Sequence, residues 1–198
     1  MSTLTELYYE IARCQDCDLA KHRTHVVPGE GSENAKLLFI GEAPGWYEDQ
    51  AGRPFVGAAG EFLNHLLSLI GLSREDIYIA NILKCRPPGN RDPLPQEIQS
   101  CQKWLDRQIE IIQPKMIVTL GRYSLARYFP QESIGKIHGR ERRLNNLIVY
   151  PMYHPAAALH RGGLRQIIEA DMRRISQVLA QSEKFNEPSI EAQQLSLF

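Results

Sequence analysis

Four segments of the chain are apolar almost without interruption: residues 35–40, 77–83, 116–120 and 147–153. Alternating apolar and polar positions would mark strands with one wet face, whereas continuous runs this short predict strands covered on both faces. Between them the period changes to that of a helix. Residues 57–70 carry Phe62, Leu63, Leu66, Leu67 and Ile70 at helical spacing, and 95–112 carry Ile98, Trp104, Leu105, Ile109 and Ile112. A short helix is expected over 122–128 and a long amphipathic one over 165–179. The first helix should begin at Thr3, which forms a capping-box pair with Glu6 ahead of Leu7, Tyr8 and Ile11, and end near Cys14. Strands alternating with helices predict an α/β fold, a parallel sheet between two helical layers. From Gln181 the pattern dissolves into SEKFNEPSIEAQQLSLF. A folded domain over 1–180 and a flexible tail over 181–198 are therefore expected.

Each apolar run leads into residues suited to chemistry. The first runs into Gly41-Glu42-Ala43-Pro44-Gly45. The second contains Asn81 and leads to Lys84-Cys85-Arg86-Pro87-Pro88-Gly89-Asn90-Arg91. The third leads to Gly121-Arg122 and the fourth to His154-Pro155. In open parallel sheets the ligand crevice lies outside the carboxyl ends of the strands, so Glu42, Asn81 and His154 are expected around one pocket.

The 198 residues are 43% hydrophobic and 23% charged, ordinary for a soluble domain. No apolar run is long enough to span a membrane, and no basic-then-apolar leader opens the chain, so a cytoplasmic protein is expected. Lys+Arg and Asp+Glu number 23 each, for a formal net charge of zero. Any grip on nucleic acid must then be local. Basic residues do cluster: Lys136, His138, Arg140, Arg142 and Arg143; Lys84, Arg86 and Arg91; and His160, Arg161 and Arg165. A basic rim around a pocket at one sheet edge suits contact with a phosphate backbone.

Four cysteines in such a chain argue against structural disulfides. Cys14 and Cys17 form a C-x-x-C pair, which lets one turn of backbone present two thiolates, and Cys85 and Cys101 can complete a tetrahedral set. Zinc and an iron–sulfur cluster are not separable from this spacing. His25 is a nearby spare ligand.

Asn81 offers an amide donor and a carbonyl acceptor side by side, matching a base edge that shows an acceptor O4 beside a donor N3–H. Phe55 offers a flat face for a base. His154 can donate a hydrogen bond to a carbonyl that becomes an oxyanion as a glycosidic bond breaks.

GEAPG followed by Glu48-Asp49, then GRPFVG, NILKCRPPGNRDP and HPAA, with the cysteines placed as above, resembles the family 4 uracil-DNA glycosylases over about Tyr8 to Leu179. The resemblance implies a three-layer αβα sandwich with a four-stranded parallel central sheet. It also implies a [4Fe-4S] cluster on Cys14, Cys17, Cys85 and Cys101, and hydrolysis of the N-glycosidic bond of deoxyuridine in DNA. Carried over by motif, Gly41, Glu42 and Ala43 line the uracil site, Phe55 stacks on the base, Asn81 reads its edge, and His154 stabilises the departing anion. Ala43 stands where other branches of the superfamily carry an acidic residue that positions water. Glu48 and Asn90 are the candidates for that task here. Arg86, Arg91, Arg140, Leu159 and Arg161 are expected to contact DNA, with Leu159 to Arg161 filling the gap left by a flipped base. The protein is expected to act as a monomer.

Gln194, Leu195, Leu197 and Phe198 lie in a terminal QLSLF that resembles the pentapeptide by which bacterial repair proteins bind the sliding clamp. Two competing readings are a relative that holds uracil-containing DNA without turnover and a zinc-stabilised nucleotide-binding module. The first is expected to carry a longer, His-containing loop after the second strand; residues 87–93 are short and lack His. A zinc deaminase is disfavoured, because H-x-E with P-C-x-x-C is missing.

Overall fold

A computed structural model describes residues 3–186, with side chains through residue 181. Six strands form one sheet: β1 (Glu30–Gly31), β2 (Leu37–Gly41), β3 (Tyr78–Asn81), β4 (Met116–Leu120), β5 (Arg142–Leu144) and β6 (Leu147–Met152). Their spatial order is β1-β3-β2-β4-β6-β5. The four central strands are parallel, as expected, and β1 and β5 add a short antiparallel edge on either side. The chain leaves β2 toward β3 and later returns to place β4 on the other flank of β2. The strand order therefore reverses between β2 and β4, the kind of position where open sheets form a crevice.

The continuous apolar runs are explained by two cores. Side chains alternate across a strand. Phe39, Ile79, Val118 and Tyr150 enter one core with Phe62, Leu63, Ile168 and Met172. Leu38, Ile40, Tyr78, Ala80 and Ile117 enter the other with Leu7, Ile11, Trp104 and Leu105. The helices supplying these layers are α1 (Leu4–Ala12), α3 (Ala58–Ser68), α4 (Pro95–Ile112) and α8 (Gly163–Asn186). The shorter α2 (Trp46–Ala51), α5 (Arg122–Ala126), α6 (Ile134–Ile137) and α7 (Pro155–His160) sit in the connections. Thr3 caps α1 through the expected reciprocal pair with Glu6, a device worth about 1 kcal/mol.

The sequence reading differs from the fold in places. β5 is exposed and two of its three residues are arginines, so it carries no apolar pattern; the arginines blunt an open sheet edge. α8 runs past Leu179 to Asn186, beyond the amphipathic stretch expected over 165–179. Among the described residues no helix is long and apolar enough to cross a membrane.

Candidate active site

A cavity of about 390 Å³ opens at the carboxyl edge of the parallel strands, lined by Glu42, Ala43, Pro44, Gly45, Glu48, Phe55, Asn81, Asn90, Arg91 and His154, among others. Residues from the ends of β2, β3 and β6 thus meet where the topology places a crevice. Gly41 is the hub. A Cβ at this position would collide with Asn81 Oδ1 and come within 2.8 Å of the Phe55 ring. Glycine is what lets strand, amide and aromatic face close together. Asn81 is 2% exposed, and its Oδ1 is buried without a hydrogen-bond partner. Such an orphaned acceptor costs about 1–3 kcal/mol until a donor reaches it.

Phe55 holds a backbone φ of +52°, a left-handed conformation that costs an aromatic residue about 1–3 kcal/mol. Three contacts enforce it. Glu48 Oε1 accepts the backbone N–H groups of Val56 and Gly57 at 2.9 and 3.0 Å. Arg74 donates to the carbonyls of Phe55 and Pro54 at 3.1 and 2.6 Å, and is itself anchored by Glu30. Gly60 packs its Cα so close that a Cβ would strike the Phe55 carbonyl. The other oxygen of Glu48 accepts from Gly45 N at 3.1 Å. Sequence reasoning put Glu48 beside a water; its carboxylate lines the cavity but is committed to three backbone donors. Its neighbour Asp49 is buried and accepts from Thr24 N, pinning the segment that leads away from Cys17.

His154 stacks at the cavity wall against Phe55. Its Nδ1 accepts from Ala156 N at 3.2 Å, which leaves the proton of the neutral ring on Nε2. Burial pushes its pKa down to about 4, so the ring is an uncharged donor at neutral pH. Glu42 moves the opposite way: burial, helped by the charge of Asp92 and opposed by Arg122, raises its carboxyl above the usual range. Asn90 Oδ1 accepts from Arg86 Nε at 2.6 Å.

The expected basic rim is only partly assembled. Lys84 does not belong to it. The side chain is buried, donating to Asn81 O at 2.9 Å and Gln108 Oε1 at 2.6 Å, and burial lowers its pKa to about 8. It braces the strand end that carries Asn81. Its position in a run of basic and polar residues hid this role, as did the absence of any local signal for Gln108. Arg91 lines the cavity but forks onto Glu97 at 2.6 and 2.9 Å. Antiparallel register pairs Arg142 with Val149 and Arg143 with Ile148, so β5 carries both away from the carboxyl edge, whereas Arg140 follows Gly139, which bonds Pro151 O near that edge. Leu159 and Arg161 lie exposed on and just beyond α7, whose N-cap is His154.

The four cysteines line one apolar chamber with Ile11, Leu19, Val26, Leu83 and Trp104, and none of them is in a disulfide. Three N–H groups point at their sulfurs: Arg23 at Cys85 (3.2 Å), Trp104 at Cys14 (3.4 Å) and Lys84 N at Cys101 (3.3 Å). Burial raises the Cys17 and Cys85 thiols, and pushes Cys101 up to about 12. Such sulfurs become thiolates only against positive charge delivered among them. Among the described residues no three Cys, His, Asp or Glu side chains close on a single metal ion. His25 contributes nothing to the chamber; its Nδ1 lies 3.1 Å from Asp49 O. Gln194, Leu195, Leu197 and Phe198 fall outside the described residues.

Residues 28–175 match the family model of the uracil DNA glycosylase superfamily. The chain is 46% identical over 190 residues to the type-4 uracil-DNA glycosylase of Saccharolobus solfataricus, covering 91% of this chain and 88% of that one. It is 46% identical over 187 residues to that of Archaeoglobus fulgidus, covering 90% and 94%. It is 43% identical over 169 residues to that of Thermotoga maritima, covering 83% and 88%. The chain belongs to the uracil DNA glycosylase superfamily and, within it, to the type-4 uracil-DNA glycosylases.

Proposed function

We propose that this protein extrudes deoxyuridine from DNA into the cavity at the sheet edge and hydrolyses its N-glycosidic bond, releasing uracil and leaving an abasic site. The observation that carries the reading is the buried, unpartnered Asn81 Oδ1 held against Gly41 and Phe55. Uracil presents N3–H to that oxygen and O4 to the Asn81 amide N–H; cytosine presents the reverse order and leaves the acceptor facing an acceptor. Phe55 receives the face of the base, and Gly41, Glu42 and Ala43 wall its site.

Bond breaking sends the C1′–N1 electron pair into the base, and negative charge gathers on its carbonyl oxygens. The Nε2–H of a neutral His154 donates to O2 as that charge grows. A preorganised donor in a water-poor site stabilises the anion more in the transition state than in the ground state. Water then adds to the sugar carbon and gives up a proton. Glu42, a carboxylate of raised basicity on the cavity wall, takes it, while Asn90 orients the water. Glu48 acts as a positioning residue through the Phe55 loop.

Cys14, Cys17, Cys85 and Cys101 would hold a [4Fe-4S] cluster. Four sulfurs around one apolar chamber, with N–H donors aimed at three of them, fit such a group in the chemistry of their donor set. When bound, the cluster supplies a structural cross-link between the segment after α1, the loop after β3 and α4. Arg86, Arg91, Arg140 and Arg161 contact the DNA backbone, and Leu159 enters the gap left by the extruded base. The terminal QLSLF docks on a sliding clamp, and loss of clamp pull-down after removal of residues 194–198 tests that assignment.

The deciding experiment is incubation with a uracil-bearing oligonucleotide followed by alkaline cleavage. Strand scission at the uracil is expected. An intact strand with normal binding would favour the non-catalytic reading instead.

A further inference from the structure

Trp46 and Tyr47 open α2 directly after Gly45. They are 50% and 63% exposed, and their rings meet edge to face at 5.0 Å and 84°. Neither belongs to either core, so folding does not account for them. The residues on either side of them, Gly45 and Glu48, line the cavity. Tyr47 lies over the Phe55 loop: a Cβ on Gly57 would touch its Cδ2 at 3.3 Å. The pair therefore stands on the cavity lip contributed by β2 and α2. Exposed Leu159 stands on the element that begins at His154.

We propose that Trp46 and Tyr47 form a stacking platform for the unpaired bases flanking the extruded nucleotide. The inference rests on the reading of the cavity as a base pocket. A strand that sends a base into the cavity and runs over this lip lays its neighbouring bases within reach of the two rings. Extrusion leaves neighbouring bases with an uncovered face, and an aromatic side chain can cover it whatever the base, because every base has a π-face. The charge balance points the same way. With zero net charge and Lys84 buried, phosphate contact alone supplies a limited grip. Stacking adds affinity that salt does not screen. The platform favours single-stranded or locally opened DNA, where the flanking bases are free to lie on it.

The test uses the full, cluster-loaded chain and two short single-stranded oligonucleotides, one carrying uracil and one carrying thymine in its place. Replacing both rings (Trp46→Ala with Tyr47→Ala) should raise Kd for each oligonucleotide about tenfold or more, with the salt dependence of Kd unchanged. Trp46→Phe should keep Kd within a factor of about two while abolishing the tryptophan quenching that oligonucleotide produces in the parent protein. Parental affinity in the double variant, as expected if the rings serve a protein partner, would overturn the proposal. So would quenching that survives Trp46→Phe. Failure of the base-pocket reading shows separately, as a parent protein that binds both oligonucleotides and releases no uracil.

Discussion

The ring of Phe55 lies 5.4 Å from that of His154, centroid to centroid, and 27° from parallel. This is an offset stack, inside the range such pairs adopt, and it is too close to admit a third ring between them. A base lying on the rest of the Phe55 face would have His154 at its edge rather than above it. In the proposed mode of binding, one aromatic contact would set both where the base lies and where the His154 donor meets it.

His154→Ala removes a neutral donor that strengthens as charge develops. The expected loss is about 10²–10³-fold in the single-turnover rate at saturating DNA, with Kd for uracil-bearing DNA changed by no more than about twofold. Rapid quench and equilibrium binding separate the two. Equal losses in rate and affinity would remove the anion role.

Asn81→Ala takes away both halves of the base-edge match while leaving Phe55 its place. Uracil excision should fall by about 10³-fold or more. Lys84 still bonds the backbone carbonyl of residue 81, so the strand end should stay ordered and thermal unfolding should shift little. A variant that excises uracil at the parental rate would show that the orphaned amide oxygen is not the reader.

Glu48→Ala tests the clamp on the strained loop. Three backbone N–H groups lose a charged acceptor, and the left-handed Phe55 is freed to relax. A destabilisation of about 2–4 kcal/mol is expected, with a rise in KM larger than the fall in kcat, because the stacking face is no longer preset. Arg74→Met should act in the same direction through the Phe55 and Pro54 carbonyls. If Glu48 instead served the water directly, kcat would collapse while the unfolding temperature stayed put.

Much of this was legible in the sequence, and what was hidden has physical causes. The parallel strands declared themselves because both faces are buried, and Gly41, Asn81 and His154 could be placed on one edge because strand ends precede loops. The roles of Arg74 and Lys84 rest on partners distant in sequence. Arg74 reaches back 19 residues to Phe55, and Lys84 reaches 24 residues on to Gln108. No local pattern encodes such partners. Charge was misleading for the same reason: a lysine counted toward a basic rim is buried under it, and two arginines follow an edge strand away from it.

Cys101→Ala deletes the one sulfur that α4 contributes to the chamber. The brown colour and absorbance near about 400 nm expected of the cluster should be lost or sharply reduced. Removal of the cross-link should also lower the unfolding temperature, since metal binding contributes directly to folding free energy. Iron analysis and calorimetry read the two effects. Full iron content in the variant would take Cys101 out of the ligand set, and one equivalent of zinc in the parent protein would replace the cluster assignment.

The pKa values of Glu42 and His154 are shifted in opposite directions, and the signs separate the two groups. His154, held down to about 4, remains the uncharged donor down to that pH. An activity limb above it must come from another group. Glu42 accepts a proton only when ionised, so the rate should rise with pH through its raised pKa and then level. Stability runs the other way in that window: the folded chain holds the Glu42 proton more tightly than the unfolded chain, and this contribution is lost as the carboxyl ionises. Arg122 lowers and Asp92 raises the Glu42 pKa, and the two are themselves paired at 2.5 Å. Arg122→Ala leaves Asp92 unopposed and should move the limb to higher pH; Asp92→Asn leaves Arg122 unopposed and should move it lower. Glu42→Gln should abolish the limb and reduce the plateau by about 10²-fold or more. A limb that stays fixed in both neighbours' variants and survives Glu42→Gln would assign the proton acceptor elsewhere.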